Sequence, residues 1–386
     1  MHRQKDVPHA DHQEIAGTDS ISWFTTINLK DAYFHIEVIP LLLESVRQER
    51  LSVILIVPDR HSVPWYAEMT QMLAAQPWSI PQNASIKVTE FIIGGFDKTE
   101  KPFVVGVVIL IAYVLAVLAN IINILFIIYD KRLHKPMYLL ICNLAVVDIL
   151  YTSSASPTMI GVLIAGVKTI SYVPCFIEMF AFHLGGIMET FALSIMAFDR
   201  LIAISCPFKY HSYLTNVRTL VLTYILWIVA CGIMSGMSAT LLPLPHCHSK
   251  LRYTFCDYPA IIRTTCVDPR PYFNLVTVIV FFILFFTFTF ICLSYILIIF
   301  FVKLSSNSNK RKMGSTCLSH LVVVTCYYCP VFISVVLTRM GVVLTLEARH
   351  GLTIGAILGP SLVNPFVYCL RTKEIRCKIL GIFKSS

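Results

Sequence analysis

Met196-Ala197-Phe198-Asp199-Arg200 stands where a long apolar segment gives way to basic, proline-bearing sequence ending at Pro207-Phe208-Lys209. Reading back from Asp199 to Cys175, Glu178 and Glu189 are the only other Asp, Glu, Lys or Arg residues. A helix from Cys175 to Arg200 would rise about 38 Å at about 1.5 Å per residue, enough to cross a bilayer. An acid and an arginine side by side at such an end can lock to each other, or release the arginine toward a partner beyond the membrane. The same pair could instead do no more than fix the depth of the helix. Glu189 precedes Arg200 by eleven residues, very near three helical turns, so one helix face carries both toward the interior of a bundle.

Composition extends the membrane reading to the whole chain. Of 386 residues, 56% are hydrophobic and 14% charged, with a mean hydropathy of +0.72, against about 25% charged in soluble domains. A formal charge of +9 raises the question of nucleic acid, but the basic residues are scattered in short loops between apolar runs, so no nucleic-acid partner is expected. Many of the 13 cysteines, among them Cys142, Cys231, Cys292, Cys326 and Cys369, sit inside apolar runs and read as buried, unpaired small hydrophobes. The N-terminus is polar and shows no cleavable leader, which leaves the first membrane helix as the targeting signal.

Apolar runs at Phe103–Tyr129, Met137–Leu163, Cys175–Ile204, Leu220–Leu242, Tyr272–Val302, Cys317–Leu337 and Leu352–Leu370 approach or exceed the roughly 20 residues that cross hydrocarbon. The fold expected is an all-α membrane protein, a seven-transmembrane helix bundle over 103–370. A tail at 82–102 precedes it, and a tail at 371–386 follows, where Lys373–Phe383 alternates basic and apolar residues like a short amphipathic helix. Pro157 is expected to kink the second span. The loops after the first, third and fifth spans, with the C-terminal tail, hold more Lys and Arg than the opposite loops. That places the C-terminus in the cytoplasm and 82–102 outside. Asn83-Ala84-Ser85 is then an N-glycosylation sequon on the outer side.

Asp148 and Glu189 are carboxylates at mid-membrane depth, where one unpaired charge costs about 2.5–3.5 kcal/mol. They must share a proton, a cation or a polar network, and Asn120, Ser361 and Asn364 are the polar residues available to them. Cys175, Cys247, Cys256 and Cys266 lie on the oxidising side, where four cysteines allow three pairings. A metal site built from His246, Cys247 and His248 is the rival reading, and a neighbouring disulfide would consume its thiolate. No metal or other cofactor is expected.

Several stretches together resemble the olfactory receptors, a branch of the rhodopsin-like G-protein-coupled receptors. They are LHKPMYLLICNLAVVD (133–148), MAFDRLIAISCPFKYHSYLT (196–215), the three-cysteine loop 247–266, KRKMGSTCLSHL (310–321) and NPFVYCLRTKEI (364–375). The match runs from about Asn83 to the C-terminus. It implies a plasma-membrane receptor, not an enzyme, that binds a small-molecule odorant outside and activates a heterotrimeric G protein, stimulatory and raising cyclic AMP. It pairs Cys175 with Cys256 and Cys247 with Cys266, and makes the Asp148–Glu189 group a sodium-type site that collapses on activation. It assigns G-protein coupling to Asp199, Arg200, Tyr295 and Tyr368, and ligand contact to Phe182, His183, Gly186, Ile187, Tyr328, Val331 and Val335. His183 can equally be a hydrogen-bonded bundle histidine. No acid occupies 182 or 183, so an amine-receptor salt bridge is not expected. Phe198 stands where the family usually has tyrosine, Leu201-Ile202 replaces Tyr-Val, and Tyr327-Tyr328-Cys329-Pro330 varies the usual aromatic pair. Of the rivals, a transporter would show internal repeats, which the chain lacks, and a non-olfactory seven-helix chemoreceptor differs in ligand alone.

Residues 1–81 belong to a different composition. SWFTTINLKDAYFHIEVIP (22–40) resembles the palm motif of retroelement reverse transcriptases, with Asn28 where a metal-binding aspartate is usual, and 47–78 resembles a later part of such elements. An amide is a poor ligand for a hard cation and the Tyr-x-Asp-Asp carboxylates are missing, so the segment reads as a nonfunctional, poorly folded extension.

Overall fold

The computed structural model describes residues 13–15, 22–24, 86–97, 99–304, 307–339 and 346–371, with side chains in the last two helices at 317–334, 348 and 350–367. The described residues fall into two units. In the first they comprise an antiparallel pair, β1 (Gln13–Ile15) and β2 (Ser22–Phe24). The expectations for the rest of 1–81, for Asn83 and for the amphipathic helix at 373–383 lie outside the described residues.

The second unit is a helix bundle with a small sheet at one end. Its long helices are α1 (Pro102–Tyr129), α2 (Pro136–Ala165), α3 (Tyr172–Ser205), α4 (Asn216–Leu241), α5 (Arg270–Leu304), α6 (Asn307–Arg339) and α7 (Leu346–Arg371). Prolines open α1 and α2 at positions where a missing N–H costs nothing. Gly166, at φ +67°, closes α2 in the left-handed conformation. Thr215 caps α4 by accepting from the Arg218 N–H at 3.2 Å. Helix α2 runs on through Pro157, and α7 through Pro360 and Pro365, so these prolines do not end their helices.

By length and composition five of these helices can cross a membrane alone: α1, α2, α4, α5 and the Cys317–Ser334 part of α6. Helix α3 qualifies together with the segment Pro207–Tyr213, which turns away from it by 113°. Helix α7 is more polar, carrying Ser361 and Asn364 inward. The outward faces of α1 and α5 present Phe103, Val108, Ile111, Phe282, Phe286 and Ile296 at more than half exposure, a surface suited to lipid and not to water. The protein is an all-α membrane protein.

Helix α3 is the axis, packing on α2, α4 and α5, while α1 lies against α2 and α7. Gly185 lets α3 and α2 meet, because a Cβ there would stand 2.9 Å from the Tyr151 Cα. Around α3 the core joins Leu193, Met196 and Ala197 to Leu144, Ile291, Val324 and Tyr328 at one end, and Met179 and Met188 to Met234 and Tyr258 at the other. Over that second end lies a three-stranded sheet, β4 (Thr169–Ser171), β3 (Glu90–Ile93) and β5 (Lys250–Leu251), with β3 central. β3 runs antiparallel to β4 and parallel to β5.

Candidate functional site

At the far end of α3, Arg200 Nη2 lies 3.1 Å from Asp199 Oδ2, the acid 2% and the arginine 14% exposed. The 113° turn after α3 brings Tyr210 back beneath the helix, where its hydroxyl donates to Asp199 Oδ1 at 2.6 Å. Each carboxylate oxygen thus has its own donor, and the arginine is held by charge and geometry together. Tyr295 ties α5 to α6: its hydroxyl donates to the Cys317 carbonyl at 3.2 Å and lies 2.8 Å from His320 Nδ1. The Tyr368 side chain lies outside the described residues.

Halfway along the bundle, Asp148 takes the Asn364 amide on both oxygens, at 3.0 and 3.1 Å, and the Ser361 hydroxyl at 3.3 Å. Asn120 donates to the Ser361 carbonyl at 2.9 Å and the Ala116 carbonyl at 3.0 Å, which joins α1 to α7. Glu189 is wholly buried and within electrostatic reach of Asp148. Neither of its oxygens has a hydrogen-bond partner among the described residues, and the same holds for Asn364 Oδ1 and Asn120 Oδ1. The group is therefore rich in unused oxygen acceptors and short of positive charge.

Toward the sheet end, Phe182 stacks on Tyr151 at 5.0 Å and tilts against Phe255 at 4.7 Å. The Tyr327 hydroxyl donates to the Gly186 carbonyl at 2.9 Å. Tyr328 donates to Thr287 Oγ1 at 2.7 Å and lies between Phe288 and Phe332. Ile187 and Val331 pack against the two ends of the core, and the side chain of Val335 lies outside the described residues. His183 is already engaged, with Nε2 2.8 Å from Asp257 Oδ1. Asp257 also caps the short helix Tyr258–Ile262 by accepting from the Tyr258 N–H at 2.8 Å. A cleft of about 710 Å³ lies elsewhere, between the sheet and the loop after α4, and shares none of these residues.

Two disulfides brace this end, Cys175–Cys256 with Cα atoms 5.4 Å apart and Cys247–Cys266 at 5.1 Å. Among the described residues no group of three or more His, Cys, Asp or Glu is placed to hold a metal ion. Asp97 clips the sheet on its surface, 2.7 Å from Lys168 and 3.2 Å from Lys250. The Lys168 hydrogen bond, with help from Lys250, holds the Asp97 carboxyl below the usual carboxylate range.

Tyr210, Tyr151, Asp257 and His320 escaped the sequence reading. For Asp257 a signal existed, since any pairing of Cys256 with Cys175 carries its neighbour to the top of α3. For Tyr210 none did, because its reach depends on a bend of the backbone. Glu178, read only as a charge within the span, is 6% exposed and has neither oxygen hydrogen-bonded among the described residues.

Comparison with known proteins gives the arrangement its family. Residues 109–385 match the family model described as olfactory receptor. The chain is 31% identical to human olfactory receptor 10G4 over 309 residues, covering 78% of this chain and 96% of that one. It is 32% identical to human olfactory receptor 13G1 over 301 residues, covering 77% and 97%. Mouse olfactory receptor 1M1 is 30% identical over 299 residues, covering 77% and 95%. With a bundle built around α3, a buried acid and arginine at one end of that helix and disulfides at the other, the chain belongs to the olfactory receptor family.

Proposed function

We propose that the chain is a plasma-membrane odorant receptor that crosses the bilayer seven times, with the sheet and disulfides outside and the Arg200 end in the cytoplasm. A small, mostly apolar ligand would bind among Phe182, Gly186, Ile187, Tyr328 and Val331, where aromatic and aliphatic groups surround a few polar ones. Its binding favours the arrangement in which Arg200 leaves Asp199 and engages a heterotrimeric G protein, stimulatory and raising cyclic AMP. The observation that carries this reading is the buried pair itself: a charged arginine held by one acid at a helix end is a latch that a partner can release.

The buried acids fit a sodium-type site. Their donors are all oxygen, which suits a hard cation, and the unused oxygens of Glu189, Asn364 and Asn120 are the groups that lack a counter-charge. Asp148 and Glu189 would hold the cation, with Ser361 and Asn364 fixing the Asp148 carboxylate. When bound, the cation supplies the charge that makes two carboxylates tolerable at this depth. Residues 1–81 take no part in signalling in this reading, and Asn83 carries the glycan.

Arg200→Ala should abolish agonist-evoked cyclic AMP in a reporter cell while leaving surface expression largely intact. Full signalling by a well-expressed variant would overturn the role given to Arg200.

A further inference from the structure

The loop after α4 delivers an acid to a helix face that has none of its own. Positions 182 and 183 carry no carboxylate, but the Cys175–Cys256 disulfide ties the loop to α3, and the next residue, Asp257, sets Oδ1 2.8 Å from His183 Nε2. Asp257 is also within electrostatic reach of Tyr151 on α2, whose ring stacks on Phe182. The acid therefore faces the side of α3 that carries Phe182 and His183. Both of its hydrogen bonds fall on Oδ1, from His183 and from the Tyr258 N–H at 2.8 Å. Oδ2 receives none among the described residues, and it is open to solvent, on a side chain that is 18% exposed. A neutral imidazole and a backbone amide satisfy an oxygen without cancelling its charge.

A second acid stands behind the first. Glu178 is 6% exposed, has neither oxygen hydrogen-bonded among the described residues, and lies within electrostatic reach of Asp257. It is closed off from a ligand and can act on one only through its charge. No Lys or Arg forms an ion pair with Asp257, Glu178 or Glu189 among the described residues. A positive charge at Asp257 Oδ2 is thus favoured by the acids around it and opposed by no lysine or arginine. Building on the ligand face described under the proposed function, we propose that this face takes a small organic amine, whose ammonium meets Asp257 Oδ2 while its apolar body lies against Phe182 and Ile187. A carboxylate ligand is repelled by Asp257. A neutral alcohol of the same shape can donate to Oδ2 but brings no charge, and a hydrogen bond with both partners ionised is the stronger one.

The test uses the full chain in nanodiscs of zwitterionic lipid and two probes, para-fluorophenethylamine and para-fluorophenethyl alcohol, read by fluorine NMR line broadening with empty nanodiscs subtracted. Binding is read directly, so the outcome does not depend on which G protein the chain engages. The amine should bind about tenfold more tightly than the alcohol, and Asp257→Asn should bring it down to the alcohol's level with the alcohol little changed. Asparagine keeps both the helix cap and an acceptor for His183, and the comparison of the two probes on the parent chain stands even where the variant fails to fold. Gly186→Leu fills the ligand face and should remove both probes. Equal binding of the two probes, with both lost in Gly186→Leu, would overturn the amine assignment and leave the ligand face standing. Amine binding that persists in Gly186→Leu would overturn both. An amine preference that Asp257→Asn leaves intact, or no amine binding to the parent chain, would equally overturn the proposal.

Discussion

Replacing Asp199 with Asn keeps the shape of the latch and removes its charge. At 3.1 Å and an effective dielectric of about 20, the attraction between the two ions is about 5 kcal/mol. Much of that is offset by the cost of holding two nearly buried charges away from water. The asparagine has one acceptor oxygen where the carboxylate has two, so it can still accept from Tyr210 while its NH2 faces the guanidinium, and the net loss is that of one charge-assisted hydrogen bond, about 1.5–3 kcal/mol. The loss falls on the arrangement in which Arg200 is held, so the balance moves about ten- to a hundredfold toward the released one. Asp199→Asn should therefore raise unstimulated cyclic AMP several-fold, toward the agonist ceiling, and shrink the further rise that agonist evokes. The measurement is a cyclic AMP reporter in cells matched for surface receptor by flow cytometry. Unstimulated output equal to the parent, with an intact agonist response at matched surface level, would refute the latch.

Glu189 makes no hydrogen bond in the described structure, so Glu189→Gln should reach the surface normally while agonist potency loses its dependence on sodium; a dependence that persists would remove Glu189 from the cation site. Gly185→Ala sets a Cβ 2.9 Å from the Tyr151 Cα, whereas Gly161→Ala meets nothing within 4 Å, so the first should cost about 1–3 kcal/mol and lower surface level in thermal and flow assays. Equal behaviour of the two glycine variants would mean that α2 and α3 do not meet there. A chain beginning with an added methionine at Gln82 should reach the surface and answer ligand as well as the full chain, and loss of response at matched surface level would make 1–81 part of the receptor.

What was legible in the sequence is what a single run of residues encodes. Helix positions follow from apolar length, and most of the observed helices start a residue or more before the apolar run, because Arg270 or Asn216 continues a helix that hydrophobicity alone would end; α6 starts ten residues early, at Asn307, and α4 stops at Leu241, one residue short. The grouping of Asp148 with Ser361 and Asn364 was legible because a buried charge demands partners, while Glu189 has no hydrogen-bond partner among the described residues. Helix α2 runs on through Pro157, since in a packed bundle neighbouring helices and side chains take up the backbone groups a proline frees. Tyr210, Tyr151 and Asp257 find their partners through a bend, a close helix approach and a disulfide, and each is a relation between segments that no local pattern records. The sheet was invisible for the same reason, since strands of two to four residues carry too few side chains for an alternation to be read.

That sheet also has an order in time. Its central strand, β3, leaves the ribosome before either neighbour, and its partners β4 and β5 follow only after the second and fourth helices have been made. Until β4 is made the backbone donors and acceptors of Glu90–Ile93 have no strand partner from the bundle, and the edge that takes β5 stays open until four of the seven long helices have been made. Synthesis stalled before Lys250, or a variant that delays the arrival of the loop after α4, would leave one edge of an apolar strand unpaired. The quality of this receptor's biogenesis is thus set late, by the loop that carries Cys256, and a folding defect there should look like retention in the secretory pathway while membrane insertion itself is complete.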